Sequence, residues 1–135
     1  MTDEEKSPDW KGYGIDQAVV EQWVRTTFGD KMFESKEERA ARVLEEAVEL
    51  YQVFAPGNRA KAHKIVDMVF DKKVGELHNE IGGLIVTLLA VCGNEGLRLD
   101  EMANKEITRI KSLPGDGFRK KQRDKADLGV SMRAE

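Results

Sequence analysis

The sequence predicts an all-α protein, a bundle of four to five helices with mobile segments at both ends. Three observations carry this. Apolar residues recur at helical spacing through most of the chain, and no run alternates as a strand would. Helix-starting and helix-stopping residues bracket those runs. The linkers between them are a few residues long, which suits antiparallel packing of successive helices.

The first helix is expected over residues 15–28, where Val20, Trp23, Val24, Thr27 and Phe28 share one stripe and Gly29-Asp30 ends it. The second has the clearest start. Ser35 with Glu38 three residues on has the form of a capping box, and Pro56-Gly57 closes the helix. A third, over 58–71, sets Ala62, Ile65, Val66, Val69 and Phe70 on one face. The fourth, over 75–92, is apolar nearly all round in its second half and is expected to be the most buried. Gly93, Asn94 and Gly96 suit a left-handed cap. The fifth, over 99–113, turns Leu99, Met102, Ala103, Ile107 and Ile110 inward and stops before Pro114-Gly115. The organisation expected is a flexible segment at 1–12, a helical domain at 13–113 and a flexible charged tail at 114–135. The tail's basic run, Arg119, Lys120, Lys121 and Arg123, reads as a solvated tail, with folding over a phosphate-bearing ligand as the lesser alternative.

The chain of 135 residues is of single-domain size, with 40% hydrophobic and 35% charged residues. A domain this small leaves much apolar surface uncovered, so pairing with a second copy is expected. A net charge of −3 argues against a general nucleic-acid partner. The lone Cys92 excludes an intrachain disulfide and reads as a small core residue. The acidic opening is unlike a signal peptide, and the apolar run 81–92 is shorter than the roughly 20 residues of a membrane span. A cytoplasmic protein with no membrane partner is the expectation.

The chemistry concentrates on two helices. Glu45, Glu46 and Glu49 fall within about a third of the second helix's circumference, with Arg42 among them. Like charges so placed repel by about 0.2–0.5 kcal/mol per pair, which solvent or a divalent cation could offset. Taken alone, such a triplet is more often a solvated helix face. On the fourth helix Glu76, Glu80, Gly83 and Thr87 form one stripe. Glu80 stands at the edge of the apolar run, where a carboxylate needs a cleft or a partner. Two helices that each bring carboxylates inward are how a bundle builds a metal site. Gly82-Gly83 in mid-helix costs about 1 kcal/mol per residue relative to alanine. That cost implies a close approach, either by another backbone or by a ligand. His63 and His78 are isolated and read as structural or surface residues.

These residues resemble a known family. Trp23 through Phe28-Gly29, then Arg42-Val43-Leu44-Glu45-Glu46-Ala47-Val48-Glu49, then Asn104-Lys105 and Arg109 resemble, in that order, the MazG-like nucleoside triphosphate pyrophosphohydrolases. The segment Val74-Gly75-Glu76 to Glu80-Ile81-Gly82-Gly83 is similar to a subgroup found in phages and bacteria. The resemblance covers residues 15–111, and its ordered set of motifs is more specific than the acidic triplet alone.

The resemblance implies an all-α homodimer or homotetramer that splits a (deoxy)nucleoside triphosphate into the monophosphate and pyrophosphate with Mg²⁺, or Mn²⁺ in its place. Glu46, Glu49 and Glu80 are the implied metal ligands, with Glu45 supporting. Glu45 and Glu46 are the implied catalytic carboxylates. One departure stands out: the family's second motif is Glu-x-x-Asp, and this chain carries Gly83 where the aspartate belongs. Glu76, one turn earlier, is the implied replacement. Lys105 and Arg109 are implied triphosphate partners, with Lys72 and Lys73 next, and Asn104 a partner of sugar or base. Trp23 is either a base-stacking residue or core. The loss of the aspartate leaves a second reading, a helical nucleotide-binding or interaction module with weak or no turnover.

Overall fold

The computed structural model describes residues 16–134. The expected N-terminal segment 1–12 lies outside the described residues. Within them the chain is all-helical, with no strand: α1 (Gln17–Phe28), α2 (Asp30–Glu34), α3 (Lys36–Phe54), α4 (Arg59–Phe70), α5 (Leu77–Glu95), α6 (Leu99–Lys111) and α7 (Gly115–Asp127).

Local chemistry sets the boundaries. Asp16 accepts from the Ala18 N–H at 2.9 Å and starts α1. Gly29 adopts φ 94°, which L side chains rarely reach, so the chain breaks there and restarts at once as the one-turn α2. Asn58 caps α4 by accepting from the Lys61 N–H at 3.2 Å. α5 passes through Gly93 and Asn94 and stops three residues later than Cys92. Gly96 takes the left-handed conformation, φ 68°, and the Leu97 N–H closes a Schellman-type bond to the Cys92 carbonyl at 2.8 Å.

Two expectations are corrected. The tail past Pro114 carries a helix, α7, that packs against α1. Its inward positions pair one aromatic, Phe118, with the buried amide of Gln122 and with Ala126, so it has almost no apolar periodicity to read. The second concerns α5, expected to be the most buried helix. It has no buried residue in the single chain, and neither has α4 or α6. Leu77, Ile81, Ile85 and Leu89 form an exposed stripe along α5, and Phe70 is 82% exposed at the end of α4. Helix α6 packs on α5, but it covers only one side.

The closed packing lies at the other end. Met32, 2% exposed, is the deepest side chain, with Val24 and Thr27 of α1 beside it. Trp23 meets Phe28 and Phe118 edge-on, with ring centroids 5.7 and 5.1 Å away. Such T-shaped contacts each contribute about 0.5–1.5 kcal/mol, and the one to Phe118 joins α7 to α1. The Arg119 guanidinium donates to the Thr27 carbonyl at 3.3 Å and fixes the same junction. Among the described residues no single helix is long and apolar enough to cross a membrane.

Candidate functional site

Helix α3 presents its charges in register. Glu38, Arg42, Glu45 and Glu49 recur at i, i+4, i+7 and i+11, one straight stripe along the helix. The stripe forms one wall of a cleft of about 840 Å³. Trp23, Phe28 and Met32 of the closed end, Phe118, Lys121 and Lys125 of α7, and Glu106 and Arg109 of α6 complete it.

The start of α3 explains why Glu38 belongs to the site. The Ser35 hydroxyl accepts from the Glu38 N–H at 3.2 Å, which is half of the expected capping box. The other half is not made, because the Ser35 N–H already donates to the Lys31 carbonyl at 3.1 Å. The Glu38 carboxylate is therefore free to turn inward, and it is only 4% exposed. It accepts from the Ser131 hydroxyl at 2.6 Å and the Met132 N–H at 3.0 Å, with the Arg42 Nε 3.3 Å away. Arg42 also donates to the Val130 carbonyl, and the buried Gln122 amide donates to that of Met132. Residues 130–132 are thus strapped onto α3 by one buried carboxylate and one arginine.

Glu45 is engaged at both oxygens. Lys125 donates to Oε1 at 2.6 Å and Arg42 to Oε2 at 3.0 Å. Glu46 is different. Its side chain is exposed on the cleft wall, yet partial desolvation there raises its carboxyl above the ordinary value of 4.5, and the charges of Glu49, Glu45 and Glu106 raise it further, against the opposing pull of Lys125. Across the cleft Arg109 grips Glu106 with two bonds, 2.5 and 3.1 Å, and holds its carboxyl below the ordinary value.

The structure therefore brings together six of the sequence-derived site residues: Trp23, Arg42, Glu45, Glu46, Glu49 and Arg109. Glu76, Glu80, Asn104 and Lys105 do not line the cleft. Glu80 was expected to point into one. It is instead exposed at the amino end of α5, with its carboxylate folded back against Gly75. A Cβ added at Gly82 or Gly83 would meet nothing within 4 Å, so packing within this chain does not account for the glycine pair. Trp23 is half-buried and meets two phenylalanines edge-on, and it also lines the cleft.

Sequence reasoning missed Glu38 as a site residue, and with it Arg39, Glu106, Phe118, Lys121, Gln122 and Lys125. The α3 stripe was available as a signal at 38, 42, 45 and 49, and Glu106 with Arg109 is a recognisable i, i+3 pair. Of the α7 residues only Lys121 gave one, as part of the basic run 119–123.

Among the described residues no three Asp, Glu, His or Cys side chains are placed to hold a metal ion. The chain matches no known protein-family pattern, no curated protein and no solved structure.

Proposed function

We propose that the chain hydrolyses (deoxy)nucleoside triphosphates to the monophosphate and pyrophosphate, in the manner of the MazG-like proteins its motifs resemble. The observation that supports this most is the state of Glu46. It makes no hydrogen bond or ion pair among the described residues, faces a cleft rimmed by arginine and lysine, and has a carboxyl shifted upward by partial desolvation and by like charge. Those are the properties of a general base, which works best when its proton affinity lies nearer the working pH. In the proposed reaction water attacks the α-phosphorus, Glu46 takes the proton, and the bond to the bridging oxygen breaks to release pyrophosphate. Glu45, bound on both oxygens, serves to position Arg42 and Lys125.

Magnesium does not fit the carboxylates of one chain as a complete site. Glu46 and Glu49 stand on the cleft, while Glu80 and Glu76, the other implied ligands, do not line it. The exposed apolar stripe of α5 and the apolar face of α4 support a homodimer or homotetramer.

The test is pyrophosphate release from a panel of (d)NTPs, with and without Mg²⁺ or Mn²⁺. Release is expected from the wild type, with a loss of at least about 100-fold in Glu46→Gln. The second reading, a nucleotide-binding helical module without turnover, is favoured by the engaged state of Glu45. It predicts nucleotide binding with no release under any metal condition.

A further inference from the structure

The charges lining the cleft can be paired off. Of its five basic side chains, Arg42 and Lys125 are bound to Glu45, and Arg109 is bound to Glu106. Of its five carboxylates, Glu38, Glu45 and Glu106 are engaged in the same way. What remains is a cleft with two uncompensated poles. Glu46 and Glu49 make one. Arg39 and Lys121 make the other, neither with an ion pair or hydrogen bond among the described residues.

Arg39 is the unusual member. It is half-buried, and its Nε is enclosed by protein with no hydrogen-bond partner. The Nε of Arg42 is enclosed in the same way, but the Arg42 terminal nitrogens are bonded to Glu45 and to the Val130 carbonyl, whereas those of Arg39 have no partner among the described residues. The Nε of Arg39 loses hydration without replacing it, and Arg42 one turn away adds like-charge repulsion; both hold the proton affinity of the group below the ordinary arginine value, against the pull of Glu38. The side chain lines the same cleft as Lys121, which is exposed and long enough to reorient within it. Arg39 and Glu46, seven residues apart, face the same side of α3 about 10 Å apart along its axis.

We infer that Arg39, with Lys121, is the anchor for the phosphate groups of a polyphosphate ligand, at the end of the cleft away from Glu46. A guanidinium presents a planar fork that matches phosphate oxygens, and lysine adds a mobile point charge. A carboxylate ligand would satisfy Arg39 alone, whereas an extended polyanion engages both cations. Only the choice of a polyphosphate rests on the nucleotide reading above; the need for an anion rests on Arg39.

The experiment is calorimetric titration of the full chain with inorganic tripolyphosphate, in the absence of divalent metal. One site per chain is expected. Arg39→Gln should weaken it by about tenfold or more, Arg39→Lys by less, and Lys121→Gln by about threefold. Glu46→Gln should tighten binding, since it removes charge from the opposite pole, and a merely structural role for Arg39 would not produce that. If Arg39→Gln fails to fold, Arg39→Lys and Glu46→Gln decide the question. Absence of wild-type binding, or unchanged affinity in a folded Arg39→Gln, overturns the inference. Arg39-dependent binding without turnover of any nucleotide keeps the anion site and removes the hydrolase reading. Turnover that is indifferent to Arg39→Gln does the reverse.

Discussion

The two ends of this chain use apolar residues in opposite ways. At one end α1, α2, α7 and the first turns of α3 enclose Met32, Val24 and Thr27, and every buried residue among those described lies there. At the other, α4 and α5 hold the most apolar stretches of the sequence and bury nothing. Burial follows from having a partner surface, not from hydrophobicity alone. The closed end has partners within the chain because Gly29 folds α2 back and α7 returns to α1. At the open end α6 packs on α5 among the described residues, and the apolar face still exposed there is left for a second copy in the proposed assembly.

The largest effect should come from charging the open face. A carboxylate at position 85, in the middle of the stripe of Leu77, Ile81, Ile85 and Leu89, would be repeated in each copy of a symmetric contact. Ile85→Asp is expected to weaken self-association by about 3 kcal/mol, roughly 100-fold, in sedimentation or light scattering. A wild-type chain that runs as a 15.2 kDa monomer at micromolar concentration would break the comparison, since the open end would then have no partner.

Next is the closed core. Met32→Ala removes the deepest side chain and should cost about 2–5 kcal/mol in denaturant unfolding, with no change in subunit affinity. A loss below about 1 kcal/mol would mean that the closed end is less well packed than its burial indicates. Glu38→Gln should cost about 1–3 kcal/mol, because the amide keeps one acceptor but loses the charge that holds Arg42, the Ser131 hydroxyl and the Met132 N–H. Proteolysis after Leu128 should quicken in the same variant.

The smallest effect sharpens the contrast between neighbouring carboxylates. Glu46 has a raised carboxyl in the folded state, so its contribution favours folding below the ordinary value of 4.5. That contribution is lost as pH rises through the raised value. Glu46→Gln should therefore stabilise at pH 7 by a few tenths of a kcal/mol, about 1–2 °C in melting temperature. The gain should vanish near pH 4. A variant that destabilises at pH 7 would contradict the uncompensated state of this residue.

The helices that could be read from sequence were those with an apolar stripe or a strong boundary: α1 by Trp23, Val24 and Phe28, α3 by Ser35, α4 by Ile65, Val66 and Val69, α5 by its apolar run and α6 by Pro114. Helix α2 escaped because five residues are too few to show a period. Helix α7 escaped because its contacts run through Gln122, Lys125 and Arg119 rather than through leucine or valine. The site divides the same way. Residues on one helix, Arg42, Glu45, Glu46 and Glu49, were legible because helical spacing fixes their mutual placement. The cross-helix part was not: Glu80 was expected opposite them, yet Glu106, Arg109 and Lys125 stand there. Which helix faces which is set by the turns at Gly29 and Pro114, and periodicity within a helix carries no trace of it.

Turnover of a (d)NTP in ¹⁸O-water tests the proposed hydrolysis at the α-phosphorus most directly. The expected products are the nucleoside monophosphate and pyrophosphate in equal amounts, with the label in the monophosphate and its appearance lost in Glu46→Gln. Label in the pyrophosphate, release of orthophosphate instead, or no turnover of any (d)NTP by the folded wild-type protein would contradict it.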